Sequence, residues 1–386
     1  MRIKAIRCLL FSAPYGHEGD AERARHLRSG YRSASIIQIT TDIGLYGLGE
    51  AYAGSYAPEV VRAITEQMAE VLEGASPLDI ADCMRRVQHA IRYWGRTGLP
   101  QGVTGALEMA LLDIKGKAYG VPAYELLGGR MHETLPVYAS GGNDKPEADL
   151  RDEMRLYVEG GYRAVKVRIN NLSTAEILKK VQICHESLGG RATLALDAVQ
   201  SNVPTPWTLK QAKQHAILLE PFNPLWLEEP LPPEDLDGLA RLCSSTTVPI
   251  AGGETVTTTA EARQYFEHRS LDIFQPDTSV LGGLTRFLEI ACLAAADGVE
   301  LAVHSWCSGV GHMANYHAAF ATKNRSFLEL SNVRNPLREA FLMEPWQLLN
   351  GELKLAATPG LGVHLPDGLQ EEYAYLPGSH YKFSAG

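Results

Sequence analysis

Residues 193–200 read Thr-Leu-Ala-Leu-Asp-Ala-Val-Gln, a short apolar run that ends in the carboxylate Asp197. Similar runs, each ending near a polar residue, recur through the chain at 135–138, 164–167, 193–196, 225–227, 248–251, 271–274, 299–303 and 327–328. Segments with helical periodicity, such as 150–159 and 260–268, separate them. This alternation predicts eight parallel strands in a closed α/β barrel. An open, doubly wound sheet is the alternative, although no glycine-rich phosphate motif follows an early strand.

The first third of the chain shows a different pattern of apolar and polar residues. Three strands are predicted at 3–11, 33–41 and 44–50, followed by helices at 59–72, 77–92 and 102–119. A chain of 386 residues exceeds the size of one core, so we expect more than one domain. The predicted units are an α+β capping domain at 1–125, a barrel at 126–335 and a C-terminal segment at 336–386. Asn350-Gly351 in that segment predicts a hairpin that returns to cover the first domain.

Residues 12–32 form a polar stretch that contains His17, Glu18, Asp20, His26 and Tyr31. Its length exceeds that of a simple hairpin turn, so a mobile lid is one interpretation. A surface loop without a role in the site is the other.

The charge balance limits the choice of partners. Lys and Arg number 36 against 45 Asp and Glu, which gives a net charge of −9. A negative field disfavours nucleic acid and anionic membranes, so a small molecule is expected. The six cysteines are scattered and no apolar run reaches the length of a membrane span, which predicts a cytoplasmic protein.

In a parallel barrel, the active site lies at the carboxyl ends of the strands. Seven consecutive predicted strands end in ionisable residues spaced 23 to 31 positions apart. These residues are Lys166 with Arg168, Asp197, Glu228 with Glu229, Glu254, Asp277, His304 and Glu329. We therefore expect them to converge on one opening.

Asp197, Glu228 and Glu254 come from adjacent strands. Three carboxylates in a partly dry opening repel one another unless a cation neutralises them. An oxygen-only ligand set favours Mg²⁺ over zinc, with Mn²⁺ able to substitute. For any one of these acids alone, a solvated strand end is the simpler interpretation.

Several motifs together resemble the enolase superfamily, in particular its mandelate racemase subgroup, over nearly the whole chain. They are Lys166-Val167-Arg168, Leu196-Asp197-Ala198-Val199-Gln200, Trp226-Leu227-Glu228-Glu229-Pro230-Leu231, Pro249-Ile250-Ala251-Gly252-Gly253-Glu254, Gln275-Pro276-Asp277, Gly282-Gly283-Leu284-Thr285, Val303-His304 and Phe327-Leu328-Glu329. The resemblance implies a modified TIM barrel, (β/α)7β, with an α+β N-terminal capping domain. It also implies a homo-oligomer.

The resemblance further implies that Asp197, Glu228 and Glu254 coordinate a magnesium ion, which in turn binds a substrate carboxylate. Lys166 beside the metal would help to stabilise an enolate. His304 would be the base, with Asp277 fixing its tautomer and raising its proton affinity. Glu329 would stay protonated, with a pKa raised by burial and nearby acids, and would donate a hydrogen bond to the enolate oxygen.

Two positions depart from the family pattern. Arg168 stands where the subgroup often has a second lysine base, and an arginine is a poor base. Racemisation by two bases is therefore disfavoured, and Arg168 is expected to orient the substrate. Val199 stands where a polar asparagine is common, which puts hydrogen bonding around the metal ligands in doubt.

The sequence thus predicts a carbon–oxygen lyase that removes the proton alpha to a carboxylate and dehydrates an acid sugar to a 2-keto-3-deoxy acid. A cycloisomerase or a racemase/epimerase of a related hydroxy acid would use the same residues. A non-catalytic metal-binding barrel and a metal-assisted hydrolase are alternatives of other classes. The cap residues His17, His26, Tyr31, Trp94 and Arg96 are candidates for reading distal hydroxyls, with structural roles as the alternative.

Overall fold

The computed structural model describes residues 1–16, 26–27 and 29–382. The chain begins with an antiparallel sheet in the order β1-β2-β3. Its strands are β1 (Ile3–Pro14), β2 (Tyr31–Thr41) and β3 (Tyr46–Glu50). The helices that follow are α1 (Pro58–Leu72), α2 (Ile80–Ile91), α3 (Leu99–Tyr119) and α4 (Ala123–Leu126). The predicted α+β N-terminal unit is therefore confirmed, with element ends shifted by a few residues.

Helix α3 is buried along most of its length because it packs between the small sheet and the rest of the protein. Small residues allow this close approach. A Cβ added at Gly49 would lie 1.8 Å from the carbonyl oxygen of Ala106, and one at Gly105 would lie 2.7 Å from the amide nitrogen of Gly283. The backbone of α3 therefore contacts the backbone of β3 at Gly49 and the backbone of the barrel at Gly283, so neither glycine position has space for a side chain.

Eight parallel strands form the second unit. They are β4 (Leu135–Gly141), β5 (Ala164–Arg168), β6 (Thr193–Asp197), β7 (Leu227–Glu228), β8 (Ile250–Gly252), β9 (Ile273–Phe274), β10 (Glu300–Val303) and β11 (Phe327–Ser331). Pairing of β11 with β4, at Leu328 and Val137, closes the barrel. The closed barrel confirms the predicted fold class and excludes the open sheet.

Seven helices connect these strands. They are α5 (Glu147–Glu159), α6 (Thr174–Leu188), α7 (Leu209–Leu219), α8 (Leu236–Cys243), α9 (Thr259–His268), α10 (Leu284–Ala296) and α11 (Gly309–Phe320). The short α12 (Pro336–Ala340) follows β11 in place of an eighth long barrel helix, so the architecture is (β/α)7β. Ser173, Thr208 and Thr258 form capping boxes at the starts of α6, α7 and α9, which fixes where those helices begin.

Glu50 joins the small sheet to the barrel. This carboxylate lies at the end of β3 and accepts hydrogen bonds from the backbone N–H groups of Ser308 (2.9 Å) and Gly311 (3.0 Å) at the start of α11. A negative charge suits the amino end of a helix. The link places the end of β3 a few residues from His304, which precedes α11.

The hairpin predicted around Asn350-Gly351 forms between β12 (Gln347–Leu349) and β13 (Glu352–Lys354). Its predicted location was wrong, because β13 pairs with Leu135 and Pro136 of the barrel. Leu135 and Pro136 precede the part of β4 that pairs with β5 and β11. Their backbone hydrogen-bonding groups therefore need another partner, which β13 provides.

Later residues of the C-terminal segment do reach the first sheet. The N–H of Ser12 donates to Tyr373 O at 3.0 Å, and the N–H of Tyr381 donates to Ser55 O at 2.8 Å. The short helix α13 (Leu369–Glu372) comes directly before Tyr373. The boundaries at 125/126 and 335/336 stay predictions.

Part of the predicted lid, including His17, Glu18 and Asp20, lies outside the described residues. Tyr31 begins β2 and pairs with Pro14, so it belongs to the sheet. His26 Nδ1 lies 3.2 Å from Lys382 O. Within the described parts of the chain, helices long and apolar enough to cross a membrane are absent.

Replacement of Gly49 by alanine should destabilise the protein, because the new methyl group overlaps the Ala106 carbonyl. We expect the free energy of unfolding to fall by about 2–3 kcal/mol, measured by urea denaturation. Gly252→Ala is the matched control, since its nearest neighbour would be Leu271 at 3.4 Å. Equal stability of the two variants would contradict the close packing of β3 on α3.

Candidate active site

The barrel brings all eight predicted site residues to one end. Lys166 and Arg168 lie in β5, Asp197 and Glu228 end β6 and β7, and Glu329 lies in β11. Glu254, Asp277 and His304 follow β8, β9 and β10 within three residues. Since neighbouring parallel strands are in register, Arg168 pairs with Asp197 and Asp197 with Glu228.

Lys166 is the centre of the charge cluster. Its Nζ lies 2.7 Å from Glu228 Oε1, 3.0 Å from Glu329 Oε1 and 3.7 Å from Asp197 Oδ2. Burial alone would lower the pKa of this ammonium group, but the surrounding carboxylates outweigh burial and raise the pKa well above its usual range. Lys166 therefore remains a fixed positive charge.

His304 and Asp277 form a buried pair in which Nδ1 of the imidazole lies 2.8 Å from Asp277 Oδ2. Asp277 accepts a hydrogen bond from Nδ1–H, which directs Nε2 toward Glu254 (3.5 Å) and Glu329 (3.9 Å). Burial would lower the pKa of His304, but Glu254, the hydrogen bond with Asp277 and Glu329 raise it to about 10. The expected pairing and its effect on proton affinity are thus present.

The position of Asp277 is itself fixed by hydrogen bonds. Its Oδ1 accepts from the N–H (2.8 Å) and hydroxyl (2.6 Å) of Ser279 and from Nδ2 of Asn315 (3.0 Å). Asn315 also donates to His304 O at 3.1 Å and accepts from the Thr278 N–H at 2.7 Å. One buried amide therefore holds both members of the pair.

The other carboxylates repel one another. Burial, with the charge of Glu228, raises the pKa of Asp197 despite the opposing effects of Lys166 and Arg168. Burial also raises the pKa of Glu254, although 24% of its side chain remains exposed. Burial and Glu254 raise the pKa of Glu229 well above its usual range, and Glu229 Oε1 is buried without a hydrogen-bond partner.

These oxygen donors match a hard dication in kind. As placed here, however, no three His, Cys, Asp or Glu side chains within residues 1–16, 26–27 and 29–382 are grouped so that they could hold a metal ion. Both oxygens of Glu228 already have donors, since Oε1 accepts from Lys166 and Oε2 accepts from Trp226 Nε1 (2.9 Å) and Gln275 Nε2 (2.8 Å). A metal would have to compete with these donors for Glu228.

The expectation for Glu329 was wrong. Burial does act to raise the pKa of this carboxyl group, but Lys166, His304 and the N–H of Ser305 (2.7 Å) lower it to about 2. Glu329 is therefore a carboxylate that accepts hydrogen bonds. It cannot donate one to an enolate oxygen in this arrangement.

Arg168 is held in place by several contacts. Its Nη1 donates to Asn143 Oδ1 at 3.1 Å, its Nε lies 3.8 Å from Asp197 Oδ2, and its guanidinium carbon lies 4.3 Å from the centre of the Trp306 ring. This geometry suits a fixed cation that orients an anion.

Val199 occupies the position where a polar asparagine is common in the family, and its backbone supplies a hydrogen bond to a proposed metal ligand. Its backbone is left-handed, at φ 47°, which is unusual for a β-branched residue. In that conformation its N–H donates to Asp197 Oδ1 at 3.0 Å. A backbone group therefore orients Asp197.

Sequence reasoning missed several residues of the site. Trp226 and Gln275 lie inside quoted motifs, and their hydrogen bonds to Glu228 could have been sought there. Tyr52 comes from the capping unit, and its ring centre lies 5.6 Å from that of His304. No sequence signal pointed to Tyr52, because its position depends on how the cap sits on the barrel.

Trp94 and Arg96, proposed as readers of distal hydroxyls, are exposed in the loop after α2. That loop contacts the barrel where the Gly98 N–H donates to Thr257 Oγ1 at 2.9 Å.

The fold and the charged strand ends define a capped (β/α)7β barrel with a buried His–Asp pair facing a lysine–carboxylate cluster. Residues 149–368 match the enolase C-terminal domain-like family, and residues 24–128 match the mandelate racemase/muconate lactonizing enzyme N-terminal domain. The chain therefore belongs to the mandelate racemase/muconate lactonizing enzyme family of the enolase superfamily.

The alignments with curated relatives cover most of this chain and most of each relative. D-xylonate dehydratase of Haloferax volcanii is 32% identical (86% of this chain, 82% of the relative), and arabinonate dehydratase of Saccharolobus solfataricus is 31% identical (92% and 94%). D-galactarolactone cycloisomerase of Agrobacterium fabrum is 30% identical (95% and 97%). Dehydratases and cycloisomerases both occur among these relatives.

Solved structures show the same fold. The 3,6-anhydro-D-galactonate cycloisomerase from Zobellia galactanivorans superposes with a TM-score of 0.87 at 30% identity, covering 97% of this chain and 99% of that one. A racemase from Streptomyces coelicolor A3(2), solved with bound magnesium, gives a TM-score of 0.83 at 28% identity, covering 96% and 98%.

Replacement of Asn315 by alanine should remove one hydrogen bond each from Asp277 Oδ1, the Thr278 N–H and His304 O, all of which are buried. We expect the free energy of unfolding to fall by about 3 kcal/mol, measured by chemical denaturation. Asn324→Ala is the control, because Asn324 is half-buried and its side chain makes one bond, to Ala291 O at 3.2 Å. A loss no larger than that of the control would argue against Asn315 as the anchor of the pair.

Proposed function

We propose that this enzyme removes the proton alpha to the carboxylate of an acid sugar and eliminates the β-hydroxyl to give a 2-keto-3-deoxy acid. The observation that carries the proposal is the buried His304–Asp277 pair, whose Nε2 faces Glu254 and Glu329 beside the Lys166 ammonium. A base and a fixed positive charge at one barrel opening are what enolate formation requires.

His304 carries out both proton transfers. Neutral Nε2 takes the proton from C2, and the electron pair left behind forms the enolate. The resulting imidazolium then protonates the hydroxyl on C3, which departs as water as the C2–C3 double bond forms. The enol tautomerises to the ketone. Glu254 and the hydrogen bond with Asp277 raise the pKa of His304 to about 10 despite its burial, so the neutral imidazole that the first transfer needs is favoured by high pH.

The cations stabilise and orient the anionic species. Lys166 lies among the carboxylates as a permanent charge, close enough to offset a developing enolate. Arg168 remains protonated, so it would orient the substrate and would not act as a second base. One-base chemistry therefore favours elimination over racemisation. Glu329 holds Lys166 and the Ser305 N–H in position.

Asp197, Glu228 and Glu254 would hold Mg²⁺, with Mn²⁺ as a substitute. When bound, the metal supplies positive charge to the substrate carboxylate and lowers the cost of forming the enolate. Support comes from the oxygen-only donor set, the mutual repulsion of these acids and the magnesium bound in the Streptomyces coelicolor racemase.

A cycloisomerase is the second candidate, in which a ring oxygen leaves from the β-carbon in place of water. The Agrobacterium fabrum and Zobellia galactanivorans relatives favour it, since they match nearly the whole chain. Cytoplasmic location and a homo-oligomeric state remain predictions based on the sequence alone.

Acid sugars incubated with the enzyme and Mg²⁺ in deuterium oxide should give 2-keto-3-deoxy acids, detectable by NMR. His304→Asn should lower kcat by about 10³-fold, because the amide cannot accept the proton. His268→Asn, at an exposed helix end, is the control and should retain activity. Deuteration at C2 without loss of water would contradict the dehydratase, and undiminished activity of His304→Asn would remove that residue from the mechanism.

Removal of divalent metal with a chelator should abolish turnover, and Mg²⁺ should restore it. Binding itself should be visible as heat in calorimetric titration of the metal-free protein with MgCl₂, and Glu254→Gln should weaken it by about tenfold or more, because a charged ligand is lost. Glu261→Gln, a capping residue of α9, is a carboxylate control. Metal-free protein with full activity would exclude a metal requirement.

A further inference from the structure

Arg32, in β2 of the capping unit, is buried with 5% of its surface exposed. Its Nη2 donates to Trp306 O at 2.7 Å, while its Nε is buried without a hydrogen-bond partner. Among the described residues, no Asp or Glu oxygen lies within the 4.0 Å ion-pair distance of its nitrogens. Arg32 is thus a buried cation without a close ion pair in this part of the chain; the charge of Arg32 acts on Glu50 only from beyond that distance, and Glu50 accepts its hydrogen bonds from Ser308 and Gly311.

Aromatic rings surround the guanidinium group. Its central carbon lies 5.0 Å from the ring centre of Tyr15, 5.4 Å from that of Tyr381 and 5.6 Å from that of Tyr52. Ring faces attract a cation, but they contribute less than an ionic hydrogen bond. A buried charge normally has a close anionic partner, and the Arg32 Nε, which is buried without a hydrogen-bond partner, remains able to donate to one.

Two contacts place Arg32 beside the proposed catalytic centre. Tyr52 contacts both Arg32 and His304, because its ring centre lies 5.6 Å from the Arg32 guanidinium carbon and 5.6 Å from the His304 ring centre. Trp306 accepts the Arg32 hydrogen bond through its carbonyl and stacks its ring against Arg168 at 4.3 Å. Arg32 therefore lies one residue away from both His304 and Arg168, on the side of the capping unit.

We propose that Arg32 binds a second carboxylate of the substrate, so that the enzyme acts on a sugar acid with a carboxylate at both ends. This inference rests on the proposed function, since it assumes that His304 acts on C2. It goes beyond that function because it separates dicarboxylic from monocarboxylic sugar acids.

The distances fit a six-carbon diacid. The two 5.6 Å steps through Tyr52 place the Arg32 guanidinium carbon no more than about 11 Å, or twice 5.6 Å, from the His304 ring centre. Four C–C bonds from C2 to C6 span roughly 5 Å. A contact of roughly 3 Å between the base and C2, and an ionic contact of similar length at C6, add to this length and bring the total to within the distance available.

The test compares pairs of acids that differ only at C6, galactarate with galactonate and glucarate with gluconate, in the presence of Mg²⁺. Binding is measured by calorimetry, and turnover is measured by keto-acid formation. The unaltered enzyme should favour the diacid of at least one pair at least tenfold in kcat/KM. Arg32→Gln should lower the diacid-to-monoacid ratio of kcat/KM by about thirtyfold, and Arg32→Lys should recover part of it.

Arg130→Gln is the matched control, because Arg130 also lies 5.6 Å from an aromatic ring, that of Phe320, but away from the charged strand ends. It should leave the ratio unchanged. A preference for the monoacids, equal use of both, or failure of every diacid to bind would overturn the proposal. So would an equal loss on both acids in Arg32→Gln, which would make Arg32 a structural part of the tyrosine cluster. Diacid binding that depends on Arg32 but leads to no chemistry would instead count against the proposed function alone.

Discussion

The buried ammonium group of Lys166 is the interaction on which the charged end of the barrel depends. Asp197, Glu228 and Glu329 all lie within 4 Å of it, and each is almost completely buried. Without this charge, their desolvation and mutual repulsion would favour protonation or a rearranged pocket. The same charge explains why Glu329 is ionised even though burial alone would keep it neutral. Stability of the pocket and stabilisation of an enolate thus depend on one group.

A second arrangement gives the imidazole its direction. Asp277 fixes Nδ1 of His304, and Asn315 fixes Asp277 and the His304 backbone from the buried helix α11. The start of α11 is held by Glu50 of the capping unit. Through these bonds the cap contributes to the orientation of a barrel residue, in addition to covering the pocket.

The two units divide the chemistry between them. Barrel strand ends supply the proposed base, cations and metal ligands, whereas the cap supplies Tyr52 and Arg32 next to them. Loops and cap surfaces can change without disturbing the strand ends, which is how one barrel supports several reactions. The dehydratases and cycloisomerases among the relatives are consistent with this division.

The sequence by itself determined the eight barrel strands, the helices between them and the nine ionisable residues at the strand ends. It did so because alternating apolar runs and helical periodicity are local properties, and parallel strands bring their carboxyl ends to one place. Only the tertiary structure decided the ionised state of Glu329, the attachment of β13 to the barrel, and the positions of Tyr52 and Arg32. Each of these depends on contacts between residues that are far apart in the chain, such as Arg32 and Trp306, which are 274 positions apart. The energy of such a contact changes steeply with the distance between the charged groups in space, and the sequence does not contain that distance.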